Sequence, residues 1–150
     1  NEATAFFYQA DGAGQALLRD RQFSSLEFVP GSAALLMATQ TAVYLYQGRQ
    51  GLQSLADQRD AIANVVGAAA SGDGTRVFIA MRSGQVAVRN LGDSTQTLLS
   101  CSCEPAGMWR LRGKAVFRLN ELGAGPLWVV DGDAAESRIL FVARPSGENR

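Results

Sequence analysis

The sequence contains no histidine among its 150 residues. That removes the side chain that most often acts as general base, triad member and zinc ligand near neutral pH. Ser71, Ser83 and Ser100 therefore have no imidazole to activate them, which excludes a hydrolase triad of the usual kind within the chain. Cysteine is almost as scarce, with Cys101 and Cys103 alone. Two thiolates do not complete a zinc site. On an extended strand they would lie roughly 6.5 Å apart at Cα, near the outer limit for a bridge, so free thiols used in packing are expected. Net charge is also missing, because 14 Lys and Arg balance 14 Asp and Glu. With no local basic cluster, no field favours nucleic acid or an anionic membrane. No apolar run approaches the ~18 residues of a membrane span. No helix pattern and no Lys-Ser/Thr pair follow Gly72-Asp73-Gly74, so that turn is not a phosphate loop. The chain begins at Asn1 rather than Met and shows no signal peptide, as expected either of a mature form after signal-peptide removal or of a simple sequence boundary; a secreted or periplasmic location is slightly favoured over a cytoplasmic one.

What is present is an ordinary globular balance, 47% hydrophobic and 19% charged, and 16 glycines that punctuate it every ten or so residues. No window sustains a 3.6-residue apolar period beside helix caps, and Gly51 to Ala63 is the one stretch with room for a short helical turn. Elsewhere short apolar runs alternate with turns. The clearest unit spans Ile62 to Cys103. It reads as a strand of small residues at Val65–Ala70, a Ser71-Gly72-Asp73-Gly74 turn, a strand at Arg76–Met81, and a Ser83-Gly84 turn. Strands at Gln85–Arg89 and Thr95–Leu99 follow. The same order recurs before it, through Leu26–Val29, Pro30-Gly31, Leu35–Ala38, Ala42–Tyr46 and Leu52–Leu55. After it come Met108–Leu111, a turn at Gly113, Ala115–Leu119, Leu127–Val130 and Arg138–Val142. Val43 to Val86 is 43 residues and Val86 to Trp128 is 42; Gly31, Gly72 and Gly113 are 41 apart. A period of this length marks a repeat architecture. Residues 1–22 hold only two strands, Thr4–Tyr8 and Gln15–Leu18, joined at Asp11-Gly12, and they match the third and fourth strands of a unit.

Ala70-Ser71-Gly72-Asp73-Gly74, Val77–Ala80 and Ser83-Gly84-Gln85-Val86-Ala87-Val88 resemble a blade of the WD40-like or YVTN-type β-propeller families. The Gly-His and Trp-Asp dipeptides of strict WD40 repeats are absent, and Val88 is followed by Arg89-Asn90, which points to a bacterial WD40-like propeller. The resemblance implies an all-β fold: a propeller segment of about three four-stranded antiparallel blades plus a partial N-terminal blade. The expected division is a partial blade of two outer strands at 1–22, blades at 23–61, 62–104 and 105–145, and a tail at 146–150. Inner strands crowd the channel and want small side chains, middle strands are apolar on both faces, and outer strands alternate. Since propellers close with about four to eight blades, such a piece needs the rest of a propeller, or a second copy of the chain, as its partner.

The candidate site residues are few. Asp131 and Asp133, with Glu136 nearby, offer oxygen ligands of the kind calcium takes, although an Asp-Gly hairpin turn has the same composition. Trp109 and Trp128 suit stacking on a sugar or peptide as well as core packing. Arg89, Arg110 and Arg118 suit a rim or channel lining as well as a solvated strand face. No cofactor is expected. The function expected is a non-catalytic interaction module that binds a protein or other ligand through rim loops or the channel mouth. Its rivals are part of a lactonase, lyase or quinoprotein-type propeller enzyme whose catalytic residues lie outside the chain, and a lectin-like partial propeller that oligomerises.

Overall fold

The computed structural model describes residues 3–8, 14–20, 22–111, 115–120, 126–134 and 136–143. Among the described residues, fourteen strands fall into one two-stranded and three four-stranded antiparallel sheets. The first sheet pairs β1 (Ala3–Tyr8) with β2 (Gly14–Asp20). The second runs in order β3 (Phe23–Phe28), β4 (Leu35–Thr39), β5 (Val43–Tyr46), β6 (Leu52–Ala56). The third is β7 (Val65–Ala70), β8 (Arg76–Met81), β9 (Gln85–Asn90), β10 (Gln96–Ser100). The fourth is β11 (Trp109–Arg110), β12 (Val116–Arg118), β13 (Leu127–Asp131), β14 (Arg138–Val142). Each four-stranded sheet is a meander in which sequence neighbours pair. The expected turns at Asp11-Gly12 and Gly113 lie outside the described residues.

The sheets stack face to face, and the core sits between them. Leu36, Val43 and Leu45 of the second sheet meet Val65, Ala68, Val77 and Ile79 of the third in one cluster. Phe78, Ala80, Val86 and Val88 meet Phe117, Leu119 and Val130 in another. A middle strand has neighbours on both faces, which is why Val77–Met81 and Leu35–Thr39 are buried at every position. Outer β10 is half-wet without keeping the expected alternation: Gln96 and Leu99 are half-buried, while Thr97, Leu98 and Ser100 are exposed. The absence of a side chain at Gly67 of β7 has a direct cause: a Cβ there would lie 2.9 Å from the backbone nitrogen of Met108, just before the fourth sheet.

The ambiguous stretch from Gly51 to Ala63 contains β6 and then a 3-10 turn at Gln58–Asp60. Asp57 caps that turn by accepting from the Arg59 amide at 2.8 Å, while Asp60 accepts from the Asp57 amide at 3.0 Å. Hydrogen bonding from the Arg59 side chain and amide lowers the Asp57 carboxyl to about 2. The second repeat turn is held in the same manner. Asp73 accepts from the hydroxyl of Ser71 and from the amide and hydroxyl of Thr75, and these bonds, the Ser71 hydroxyl foremost, hold its carboxyl far below the usual range.

One expectation is overturned. Cys101 and Cys103 are not free thiols but a disulfide. The strand geometry assumed for them does not apply, because β10 ends at Ser100 and the chain bends through Ser102. The bend shortens the Cα separation to 5.1 Å, well inside the bridging range.

Candidate functional site: a rim cleft and the inner-strand network

The β4–β5 turn is tied to the next sheet by the Val65 amide, which donates to the Gln40 carbonyl at 3.0 Å. One repeat later, the Arg82 amide of the β8–β9 turn donates to the Asn64 carbonyl at 3.0 Å. These bonds gather both turns and the starts of β3 and β7 around a cleft of about 570 Å³. Phe23 and Val66 give it apolar walls; Gln22 and Gln40 bring amides, and Arg82 a guanidinium. Ser24 also lines it, and its hydroxyl is buried with no hydrogen-bond partner among the described residues. Leaving such a group unpaired costs about 1–3 kcal/mol. Arg82 meets Glu104 at 3.6 Å with both side chains mostly in water, so the pair is weak and an incoming anion competes with it readily.

Beside the cleft, side chains lace the first strands of three sheets together. Ser25 accepts from the Ala68 amide at 2.9 Å and donates to the Ala68 carbonyl at 3.2 Å. Glu27 accepts from the Ala70 amide at 2.7 Å and from Arg110 Nη2 at 3.0 Å. The same Nη2 donates to the Ala70 carbonyl at 2.5 Å, and the guanidinium lies 4.8 Å from the centre of the Phe117 ring. β3, β7 and β11 do not pair as a ladder, so these side chains satisfy backbone groups that no neighbouring strand reaches.

No protein-family model matches the sequence, and no curated protein does. Solved structures do match. The β-propeller domain of Myceliophteria thermophila Cps50 (Swd1) aligns over 83% of this chain and 40% of its own, with a TM-score of 0.61 at 13% identity. Hydrazine synthase of Kuenenia stuttgartiensis aligns over 92% of this chain and 43% of its own, with a TM-score of 0.61 at 15% identity. A chain of the mitotic checkpoint complex aligns over 85% and 43%, with a TM-score of 0.56 at 15% identity. The fold is that of part of a β-propeller. The chain spans about two fifths of the length of these structures.

In propeller terms the cleft lies on one rim, between the second and third sheets, and the Ser25–Glu27–Arg110 network runs along the innermost strands. Arg110 thus belongs to the inner lining, bonded to Glu27 and Ala70. Arg89 lies on β9, pairs with Asp60 at 3.6 Å and borders a smaller groove of about 200 Å³. Arg118 stacks over the Trp109 ring at 4.6 Å. Trp128 packs against the core between the third and fourth blades and meets Phe141 edge-on at 5.2 Å. Asp131 is engaged locally: it accepts from the Ala134 amide at 3.2 Å and pairs with Arg138 at 3.2 Å across the β13–β14 ladder. Asp133 is exposed, as is Glu136, which borders a groove of about 480 Å³ between the third and fourth blades. There Arg76 is anchored by the Gly132 carbonyl at 2.6 Å and the Ser137 hydroxyl at 3.0 Å. The sequence reading singled out none of Ser24, Gln40 or Arg82. A usable signal existed: Gln40 and Arg82 are 42 residues apart, one repeat, and so occupy the same turn of consecutive blades.

The two ends of the stack differ from its middle. Ala5, Leu17 and Leu18 of the partial blade cover Leu35, Met37 and Tyr46. Leu26 and Phe28 pair with Met37 and Leu35 and share their face, yet they are 51% and 61% exposed. The two-stranded sheet covers the second blade as far as β4 and leaves Leu26 and Phe28 of β3 bare. At the far end, Phe141 and Val142 of β14 are exposed as well.

Proposed function

We propose that this chain is part of a larger β-propeller and serves as a non-catalytic binding module whose rim cleft holds an extended peptide segment of a protein partner. The observation that carries the reading is the cleft at Ser24, Gln40 and Arg82, where a buried unpaired hydroxyl, a side-chain amide and a loosely paired guanidinium border an apolar wall. Side-chain amides donate and accept as a peptide group does. The Phe23 and Val66 surface suits one apolar side chain, and Arg82 suits a neighbouring carboxylate. The bare Leu26 and Phe28 face suits the rest of such a propeller, since exposed apolar area of this kind is normally covered.

Selection from a displayed random-peptide library tests the reading. The wild-type chain is expected to enrich peptides with an acidic residue beside an apolar one, and Arg82→Glu is expected to lose them. Binders that survive both Arg82→Glu and Gln40→Ala would place the site elsewhere.

A further inference from the structure

Beyond β10 the chain enters Cys101-Ser102-Cys103, an irregular segment outside any strand, with Ser102 exposed and both cysteines half-buried. The sulfurs pack at the edge of the cluster that contains Val86 and Phe117, so the bridge borders the interface between the third and fourth blades without lying inside it. The bridge spans a sequence separation of only 2, and so short a closure restrains the unfolded chain little. No sheet depends on it.

The segment is clamped to the β8–β9 turn. The Cys101 amide donates to the Gly84 carbonyl at 2.8 Å. Gly84 has φ +87°, and a Cβ there would lie 2.6 Å from the Cys103 carbonyl and 2.7 Å from that of Cys101. The same turn carries Arg82 into the rim cleft, and Arg82 pairs with Glu104, the residue after the second cysteine.

We propose that Cys101–Cys103 is a thiol–disulfide exchange site for small dithiols, and that its redox state sets how firmly the β8–β9 turn is held. A thiolate of the dithiol attacks one cystine sulfur, forming a mixed disulfide and releasing the other cysteine as a thiolate. The dithiol's second thiolate then attacks the mixed disulfide and departs as a cyclic disulfide. Two electrons pass to the protein, and the two cysteine sulfurs take up two protons. The consequence for ligand binding rests on the rim-cleft reading; the exchange and the loosening of the turn do not.

The test treats the folded chain with dithiothreitol in native buffer, alkylates with iodoacetamide and measures intact mass. Far-UV circular dichroism and amide hydrogen exchange are recorded in parallel. Two alkylated cysteines are expected with the β signal unchanged, together with a several-fold rise in exchange at the Cys101 amide and at 82–85. The Cys101→Ser/Cys103→Ser variant should show the fast exchange without dithiothreitol and should not respond to it. A bridge that yields only after denaturant is added, or turn amides indifferent to reduction, would overturn the proposal. None of these readouts uses a peptide, so they succeed or fail independently of the selection experiment.

Discussion

Replacement of Gly132 by alanine probes the stacking of the third blade on the fourth at one atom. Gly132 follows β13, is buried, and donates its amide to the Ala115 carbonyl at 2.7 Å. A Cβ added there would lie 2.8 Å from that carbonyl and would overlap the tip of the Phe78 ring. Neither neighbour yields easily. Ala115 contributes backbone, and Phe78 is fully buried with its ring 5.2 Å from that of Phe117. Overpacking of a tight core costs about 1–3 kcal/mol, and with both partners fixed the upper end, about 3 kcal/mol, is expected. At an m-value of about 2 kcal/mol/M this lowers the urea midpoint by about 1.5 M, read from the fluorescence of Trp109 and Trp128. Phe78→Leu shortens the side chain that meets the new methyl. Gly132→Ala in that background should therefore cost at least about 1 kcal/mol less than in the wild type, because the two residues share one contact. A Gly132→Ala midpoint within about 0.3 M of wild type, or strict additivity with Phe78→Leu, would show that the two blades do not meet at this point.

Two further outcomes follow from the polar contacts. Glu27→Ala strips the acceptor from the buried Ala70 amide and one partner from Arg110, so a loss of about 1–3 kcal/mol is expected in urea unfolding, with Glu27→Gln recovering part of it; equal loss in both variants would contradict the hydrogen-bond account. Asp73 has a folded pKa below its ordinary 3.8, so its contribution to stability is complete above that value and is lost as pH falls toward the folded pKa. The stability curves of wild type and Asp73→Asn should accordingly differ at neutral pH and converge below about pH 4. A gap that stays constant down to strong acid would exclude a role for the charge.

The repeat made the architecture legible. Val43, Val86 and Trp128 mark the third strand of successive sheets, and their spacing of 43 and 42 residues reflects one blade per turn of the stack. Composition made the layers legible too: Gly67 leaves room for the Met108 backbone on one side, while Ala68 and Ala70 pack toward the second sheet. The disulfide was not legible, because an alternating strand pattern gave no sign that the ladder would stop at Ser100 and bend. The cleft was hidden for a different reason. Its polar residues come from the start of β3 and from two separate turns, and only the stacking of sheets brings positions such as Ser24 and Arg82 together.

β3 shows how one strand carries both the internal bond and the unmet need of the stack. Its side chains alternate, so Ser25 and Glu27 must face one neighbour while Leu26 and Phe28 face the other. Toward the third blade, the polar pair finds the Ala68 and Ala70 backbone and Arg110. Were the register slipped by one residue, Glu27 would lose both partners and meet the apolar side, a cost no rearrangement of surface side chains offsets. The polar contacts therefore fix which face Leu26 and Phe28 present, and they present it beside Leu35 and Met37, where the partial blade stops short. Exposure of these two side chains is thus a consequence of β3 being correctly registered against β7, and it gives that end of the stack an apolar character from the outset.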